Sequence, residues 1–146
     1  MVLVLNKKMK IKKKMLGRNK NADLPDLADM YALSYGVIDK LPKKYMGYTK
    51  NLLVRIENFP DEVTLQNLSL NDKYELLGLY RGVPIPFKSP KSLKSQADFI
   101  CLYRGPIIRY ARDNSENIPD LIQKVMIHEI GHHFGLREND LDFIEA

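Results

Sequence analysis

The chain contains one cysteine, Cys101, which excludes an internal disulfide and a zinc site built from several thiolates. It lies in the apolar run Phe99-Ile-Cys-Leu-Tyr103, which favours a small buried hydrophobic side chain over a nucleophile. No stretch is long and apolar enough to predict a helix across a membrane. With 45% hydrophobic and 28% charged residues, the 146-residue chain is typical of one globular domain, and we expect it to be cytoplasmic.

Acidic side chains are missing from the first twenty residues, eight of which are basic. Removing those eight from the 23 basic residues leaves 15 against 18 acidic, so the rest of the chain carries a net charge of −3. We therefore predict a disordered basic arm over residues 1–22 and a folded domain over residues 23–146. Contact with nucleic acid or an anionic membrane surface is expected only through this arm. The apolar Val2-Leu-Val-Leu5 is too short for a signal peptide, and Met9 and Met15 are alternative starts. The basic residues are Lys7, Lys8, Lys10, Lys12, Lys13, Lys14, Arg18 and Lys20.

Histidine is also scarce, and all three histidines lie in one segment, His128-Glu-Ile-Gly-His-His133. The spacing of His128 and His132 is one helical turn plus about 40°, with a rise of about 6 Å, so both imidazoles leave the same face of a helix. Glu129 then lies beside the first histidine, where its carboxylate reaches a water at the metal without being a ligand. This pattern predicts a zinc site with Glu129 as the catalytic base.

The alternative interpretation of this segment is an ordinary amphipathic helix with exposed histidines. The apolar residues that precede the motif favour a buried helix instead, which Pro119 suits at its first turn and Gly135 ends. Buried His and Glu side chains need partners, since an unpaired polar group in a protein interior costs several kcal/mol. A metal ion supplies such a partner. The apolar residues are Leu121, Ile122, Val125, Met126, Ile127 and Ile130.

Two histidines do not complete a catalytic zinc site, which usually has three protein ligands and a water. Gly135 lies where the chain must turn, and Glu138 falls where a ligand beyond such a turn is expected. Asp140 and Asp142 are the competing candidates. His133 points about 100° away from His132, so we expect it to pack or to hydrogen-bond rather than to bind the same ion.

The remaining pattern predicts an α+β domain. Residues 24–41 form a first helix capped by Asp23 or Asp26, and residues 43–48 and 61–68 form two short helices. Strands are predicted at residues 51–57, 75–82 and 97–104. Gly105-Pro106 is expected to break the third strand before a turn or helix at 107–112, and residues 87–96 are expected to be a mobile surface loop.

The tetrapeptide Leu-Tyr-Arg-Gly occurs twice, at Leu79–Gly82 and Leu102–Gly105. Either two strands end alike by chance, or a Tyr or Arg of one strand edge faces the metal cleft. No methionine follows Met126, which argues against a metzincin with a methionine turn.

Gly78-Leu-Tyr-Arg-Gly-Val-Pro84, Leu102-Tyr-Arg-Gly-Pro-Ile-Ile-Arg109 and the His128–Gly135 segment occur in this order, preceded by Ile56-Glu-Asn-Phe-Pro60. Together they resemble the small bacterial zincin-like metallopeptidases over about residues 25–142. The resemblance implies a minimal zincin-like α+β fold, with a small mixed sheet packed on the helix that carries the motif. It implies Zn²⁺ bound by His128, His132 and Glu138, with Glu129 as the base. The family usually has Asp at the third position, and Glu138 is one methylene longer.

The implied reaction is hydrolysis of a peptide or protein substrate, and an extended peptide is expected to pair with an exposed strand edge. Candidate donors to the anionic intermediate are Tyr80, Tyr103, Arg104 and Tyr110. The alternative function is a zinc-stabilised binding or regulatory protein without turnover. The sequence predicts no oligomeric state.

Overall fold

A computed structural model describes residues 2–5, 24–90 and 97–137 of the chain. Within these residues, five helices and a four-stranded sheet form an α+β fold, as the sequence predicts. The helices are α1 (Leu27–Asp39), α2 (Met46–Thr49), α3 (Glu62–Asn67), α4 (Arg104–Asp113) and α5 (Ile118–His133). The strands are β1 (Val2–Leu5), β2 (Leu52–Glu57), β3 (Gly78–Arg81) and β4 (Asp98–Tyr103). Short 3-10 turns lie at Lys43–Tyr45, Lys73–Glu75 and Ile85–Phe87.

The sheet has the order β1-β3-β4-β2 and is mixed. Strand β2 runs parallel to β4, whereas β3 is antiparallel to both β4 and β1. Parallel strands require a crossover connection, and residues 58–97 provide it between β2 and β4 while adding β3 on the way. The prediction of a small mixed sheet packed on the motif helix is confirmed, since α5 contacts β3, β4 and β1.

Strand β1 corrects one part of the predicted basic arm. Val2–Leu5 lie within the arm but pair antiparallel with Arg81–Gly78 of β3. These residues are branched and apolar, a composition that suits a strand, and β3 would otherwise have an unpaired edge. Residues 6–23 lie outside the described residues, so the disorder expected of the rest of the arm stays a prediction, as does the mobile loop where it covers residues 91–96.

The two faces of the sheet have separate apolar clusters. Ile100 and Leu102 of β4 pack with α1 and α5 in the main core, together with Met30, Val125 and Met126. Side chains alternate along a strand, so the neighbouring positions of β4 face the opposite side. That side holds a smaller cluster of Leu76, Leu79, Cys101 and Tyr103.

Helix α1 also covers the outer edge of β2. The Val54 N–H donates to the Tyr35 hydroxyl at 3.1 Å, and the Ile56 N–H donates to the Tyr31 hydroxyl at 3.0 Å. These bonds satisfy main-chain donors that an edge strand otherwise leaves open to other chains. Of the two predicted caps of α1, Asp23 and Asp26, the structure has Asp26. Its side chain accepts from the Asp29 N–H at 2.8 Å.

Helix α4 differs from its prediction at its start. A turn or helix is predicted over residues 107–112, after a break at Gly105-Pro106. The structure has the helix, but it begins at Arg104, directly after β4, and includes Gly105 and Pro106. Pro106 lies in the first turn of a helix, where its missing N–H has no intrahelical partner to lose. A Cβ at Gly105 would lie 2.4 Å from the Phe59 ring, so glycine allows this close strand-to-helix turn.

Candidate metal centre

Helix α5 carries the motif and has defined ends. Asn117 caps it by accepting from the Asp120 N–H at 3.2 Å, and Pro119 lies in the first turn as predicted. At the other end, the Leu136 N–H donates to the Gly131 carbonyl at 3.0 Å and the Gly135 N–H to the His132 carbonyl at 2.9 Å. This pair of bonds is a Schellman motif, which needs a left-handed residue after the cap. Gly135 has φ +86°, so the predicted glycine turn is confirmed.

The side chains of His128, Glu129 and His132 meet on α5. Their nearest ligand atoms all lie within 4.8 Å of one another, and the two imidazole rings are 4.8 Å apart at 79°. All three are buried, with at most 2% of their surface exposed. The interpretation of this segment as an amphipathic helix with exposed histidines is therefore wrong. Buried apolar residues surround the motif along α5, as the sequence predicts.

A hydrogen bond fixes which nitrogen of His132 is available as a ligand. Its Nδ1 lies 3.2 Å from the Leu136 carbonyl oxygen. A carbonyl only accepts, so Nδ1 carries the proton and the neutral ring has its lone pair on Nε2. This arrangement, a histidine that donates from one nitrogen and binds with the other, is usual at metal sites. Two imidazoles with an adjacent carboxylate are a donor set that suits zinc.

His133 belongs to a different set of contacts, as its angle on the helix predicts. Its Nε2 lies 2.7 Å from the Tyr48 carbonyl, and its Nδ1 lies 2.8 Å from the Tyr80 hydroxyl. The carbonyl requires a proton on Nε2, so Nδ1 accepts from the tyrosine in the neutral ring. Burial lowers the pKa of His133, which favours this neutral form. Both ring nitrogens of His133 are therefore bonded to groups outside the His128–Glu129–His132 group.

A buried ion pair lies near His133, at the C-terminal end of α5. The sequence did not predict this pair. The Lys88 Nζ lies 2.6 Å from Oδ2 of Asp98, and the Val83 N–H donates to Oδ1 of Asp98 at 3.2 Å. Asp98 also lies 3.6 Å from Nδ1 of His133. A single acidic residue at an apolar strand carries no pattern that distinguishes it from an exposed one. Only the contacts of Asp98 with Val83, Lys88 and His133 in the folded protein reveal the pair.

The four candidate donors to an anionic intermediate are not brought together. The Tyr80 hydroxyl is bonded to His133, and Tyr103 packs on the opposite face of the sheet. Arg104 donates through Nε to the Pro25 carbonyl at 3.0 Å, and Tyr110 is half-buried, with its pKa raised by burial. The two tyrosines of the repeated tetrapeptide thus face opposite ways, so the repeat does not mark one common face of the sheet.

Cys101 is buried in the smaller cluster, and burial raises the pKa of its thiol. A raised pKa reduces the thiolate that a nucleophile requires. The expected role as a small hydrophobic side chain is confirmed. Glu138, Asp140 and Asp142 lie outside the described residues, so the identity of the third ligand stays a prediction.

A small mixed sheet packed on a helix with a buried His-Glu-x-x-His centre defines a minimal metallopeptidase-type domain. The chain belongs to the zincin-like metallopeptidase family, whose sequence model matches residues 49–146. The match begins after α1. It includes the strands β2, β3 and β4 and the helix α5. No curated protein matches the chain. In the part of the chain that the structure describes, no helix is both long and apolar enough to cross a membrane, and the compartment stays a prediction.

Proposed function

We propose that the protein is a zinc-dependent peptidase, in which His128 and His132 bind the ion and Glu129 is the general base. The observation that carries this proposal is the buried group of three ligand atoms within 4.8 Å, with the His132 tautomer set by Leu136. Membership of the zincin-like metallopeptidase family supports it. A zinc ion at this position polarises a carbonyl group and lowers the pKa of a water towards 7.

The protein's own residues then supply the proton transfers. Glu129 accepts the proton of the attacking water and returns it to the nitrogen of the leaving amine. Its complete burial keeps bulk water from competing for that proton. The Leu136 carbonyl holds the His132 ring in one tautomer and orientation throughout. Peptides or proteins are the expected substrates, and the cytoplasm the expected compartment.

We propose Glu138 as the third ligand. The described chain reaches Arg137, two residues beyond the turn at Gly135. The bond between Leu136 and Nδ1 of His132 brings the chain back beside the centre just before Glu138. We therefore expect the Glu138 carboxylate to reach the ion, whereas Asp140 and Asp142 are further along the sequence from the turn at Gly135.

Replacement of each acid by alanine tests this assignment. Glu138→Ala is expected to reduce zinc from about one ion per chain to a small fraction, because a zinc site with open coordination needs three protein ligands. Asp140→Ala and Asp142→Ala are matched controls, and Glu138→Asp is expected to retain zinc. Metal content after dialysis is the measurement. Loss of zinc in Asp140→Ala or Asp142→Ala, with retention in Glu138→Ala, would reassign the ligand.

Metal removal tests the peptidase activity itself. Treatment with a chelator is expected to abolish cleavage of a peptide mixture, and stoichiometric zinc is expected to restore it, since the ion activates the water. Mass spectrometry of the products before and after each step provides the measurement. Protein that holds one zinc ion yet cuts no peptide of a diverse mixture would instead match the alternative, a zinc-stabilised binding protein.

A further inference from the structure

The outward-facing sides of strands β2 and β3, on opposite sides of β4, are covered in different ways. On β2, the hydroxyls of Tyr31 and Tyr35 accept the outward main-chain N–H groups. On β3, the covering element is β1, a separate strand of four residues. Main-chain pairing over four residues joins the two strands in register. A short outer strand of this kind is an element that another extended peptide can replace.

Strand β3 lies along the part of α5 that carries the candidate metal centre. At one end of the strand, a Cβ on Gly78 would lie 2.6 Å from Val125, so the backbone is in close contact with the helix. Two residues further, the Tyr80 hydroxyl is 2.8 Å from His133. These contacts bracket His128, Glu129 and His132 on the helix. Strand β1 is the next strand, about 4.8 Å away from β3, and it also contacts α5.

One hydrogen bond shows which neighbouring strand the main-chain groups of each β3 residue face. The Tyr103 N–H donates to the Leu77 carbonyl at 3.0 Å, across the antiparallel pair in which Gly78 is opposite Leu102. The main-chain N–H and C=O groups of successive residues point in alternate directions along a strand. Those of Leu79 therefore point towards β4, and those of Gly78 and Tyr80 point towards β1. Their partners in the register are Leu5 and Leu3. The N–H groups of Val2 and Val4 therefore point away from β3.

We propose that Val2–Leu5 is an internal competitor, which occupies the edge of β3 where an extended substrate is expected to pair. This inference rests on the proposed peptidase function. The preferred ligand is an extended apolar segment that pairs antiparallel with Gly78–Arg81, since the occupant has the sequence Val-Leu-Val-Leu. A substrate must displace β1 before it can lie beside α5. The strand thus lowers the affinity for external peptides without any change at the metal ligands.

Two proline substitutions in the full-length protein separate this role from a purely structural one. Leu3→Pro removes an N–H that faces β3, and Val4→Pro removes one that points outward, where an edge strand tolerates proline. The probe is a fluorescein-labelled peptide with the sequence of residues 2–8, whose two lysines keep it soluble. Fluorescence anisotropy gives its Kd for each variant, and thermal melting confirms that each variant is folded.

Leu3→Pro is expected to bind the probe at least about tenfold more tightly than the wild type and Val4→Pro, because a tethered competitor acts at an effective concentration in the mM range. Leu5→Pro, opposite Gly78, is a second releasing variant and is expected to act in the same direction. Equal probe affinity in all four proteins would overturn the proposal, even where the wild type cuts peptides. Tighter binding in the two releasing variants without hydrolysis of any peptide supports the docking edge and refutes the peptidase function instead.

Discussion

Glu129→Gln is expected to reduce peptide hydrolysis by about 10²–10⁴-fold while the protein keeps its zinc. Glutamine has nearly the same shape as glutamate, so the packing of this fully buried side chain is retained. It cannot accept the proton of the attacking water, so the proton transfer proposed for the carboxylate is lost. His128 and His132 remain in place on the same helix. Steady-state hydrolysis of a cleaved peptide, measured together with zinc content, tests both halves of this expectation.

Glu116→Gln provides a matched control with the same chemical change. Glu116 is also buried, with 9% of its surface exposed, and lies one residue before the cap of α5. Its carboxylate is 3.7 Å from Lys124, away from the His-Glu-His group. This variant is expected to keep both zinc and hydrolysis. Equal turnover by Glu129→Gln and the wild type would refute the role of Glu129.

The part of the site that lies on one helix could be predicted from the sequence. The interval between His128 and His132 fixes their common face once a helix is assumed, and the helix is indicated by the apolar residues and by Pro119 and Gly135. The same geometry predicts that His133 points elsewhere. These are local relations, so they depend on helical periodicity and not on how distant segments pack.

Contacts between distant segments could not be predicted in this way. The Tyr48 carbonyl, the Tyr80 hydroxyl and Asp98 gather around His133 only because β3, β4 and α2 pack on α5. The pairing of β1 with β3 was missed for a related reason. Four apolar residues before a run of lysines have no neighbours in sequence that reveal a partner strand, and composition favoured an arm. Register and pairing are properties of the folded sheet.

His132→Ala and His133→Ala are expected to have opposite consequences, although the residues are adjacent and the chemical change is the same. His132→Ala removes a proposed ligand and is expected to reduce zinc from about one ion per chain to near zero. His133→Ala is expected to retain zinc, because its nitrogens are engaged with Tyr48 and Tyr80. Loss of these two bonds is expected to reduce the free energy of unfolding by about 1–3 kcal/mol in total, since the Tyr80 hydroxyl keeps the Val83 carbonyl as a partner.

Urea denaturation with and without zinc distinguishes the two variants. A ligand that binds only the folded state stabilises it by about 2.7 kcal/mol at a hundred times its Kd. The wild type and His133→Ala are expected to gain this stability on addition of zinc, from different starting values, and His132→Ala is expected to gain none. The proposed reason for the difference is the Leu136 carbonyl, which engages Nδ1 of His132 as a donor and so leaves Nε2 as the nitrogen that would bind the ion. Zinc-dependent stabilisation of His132→Ala equal to that of the wild type would contradict the assignment of this nitrogen as a ligand.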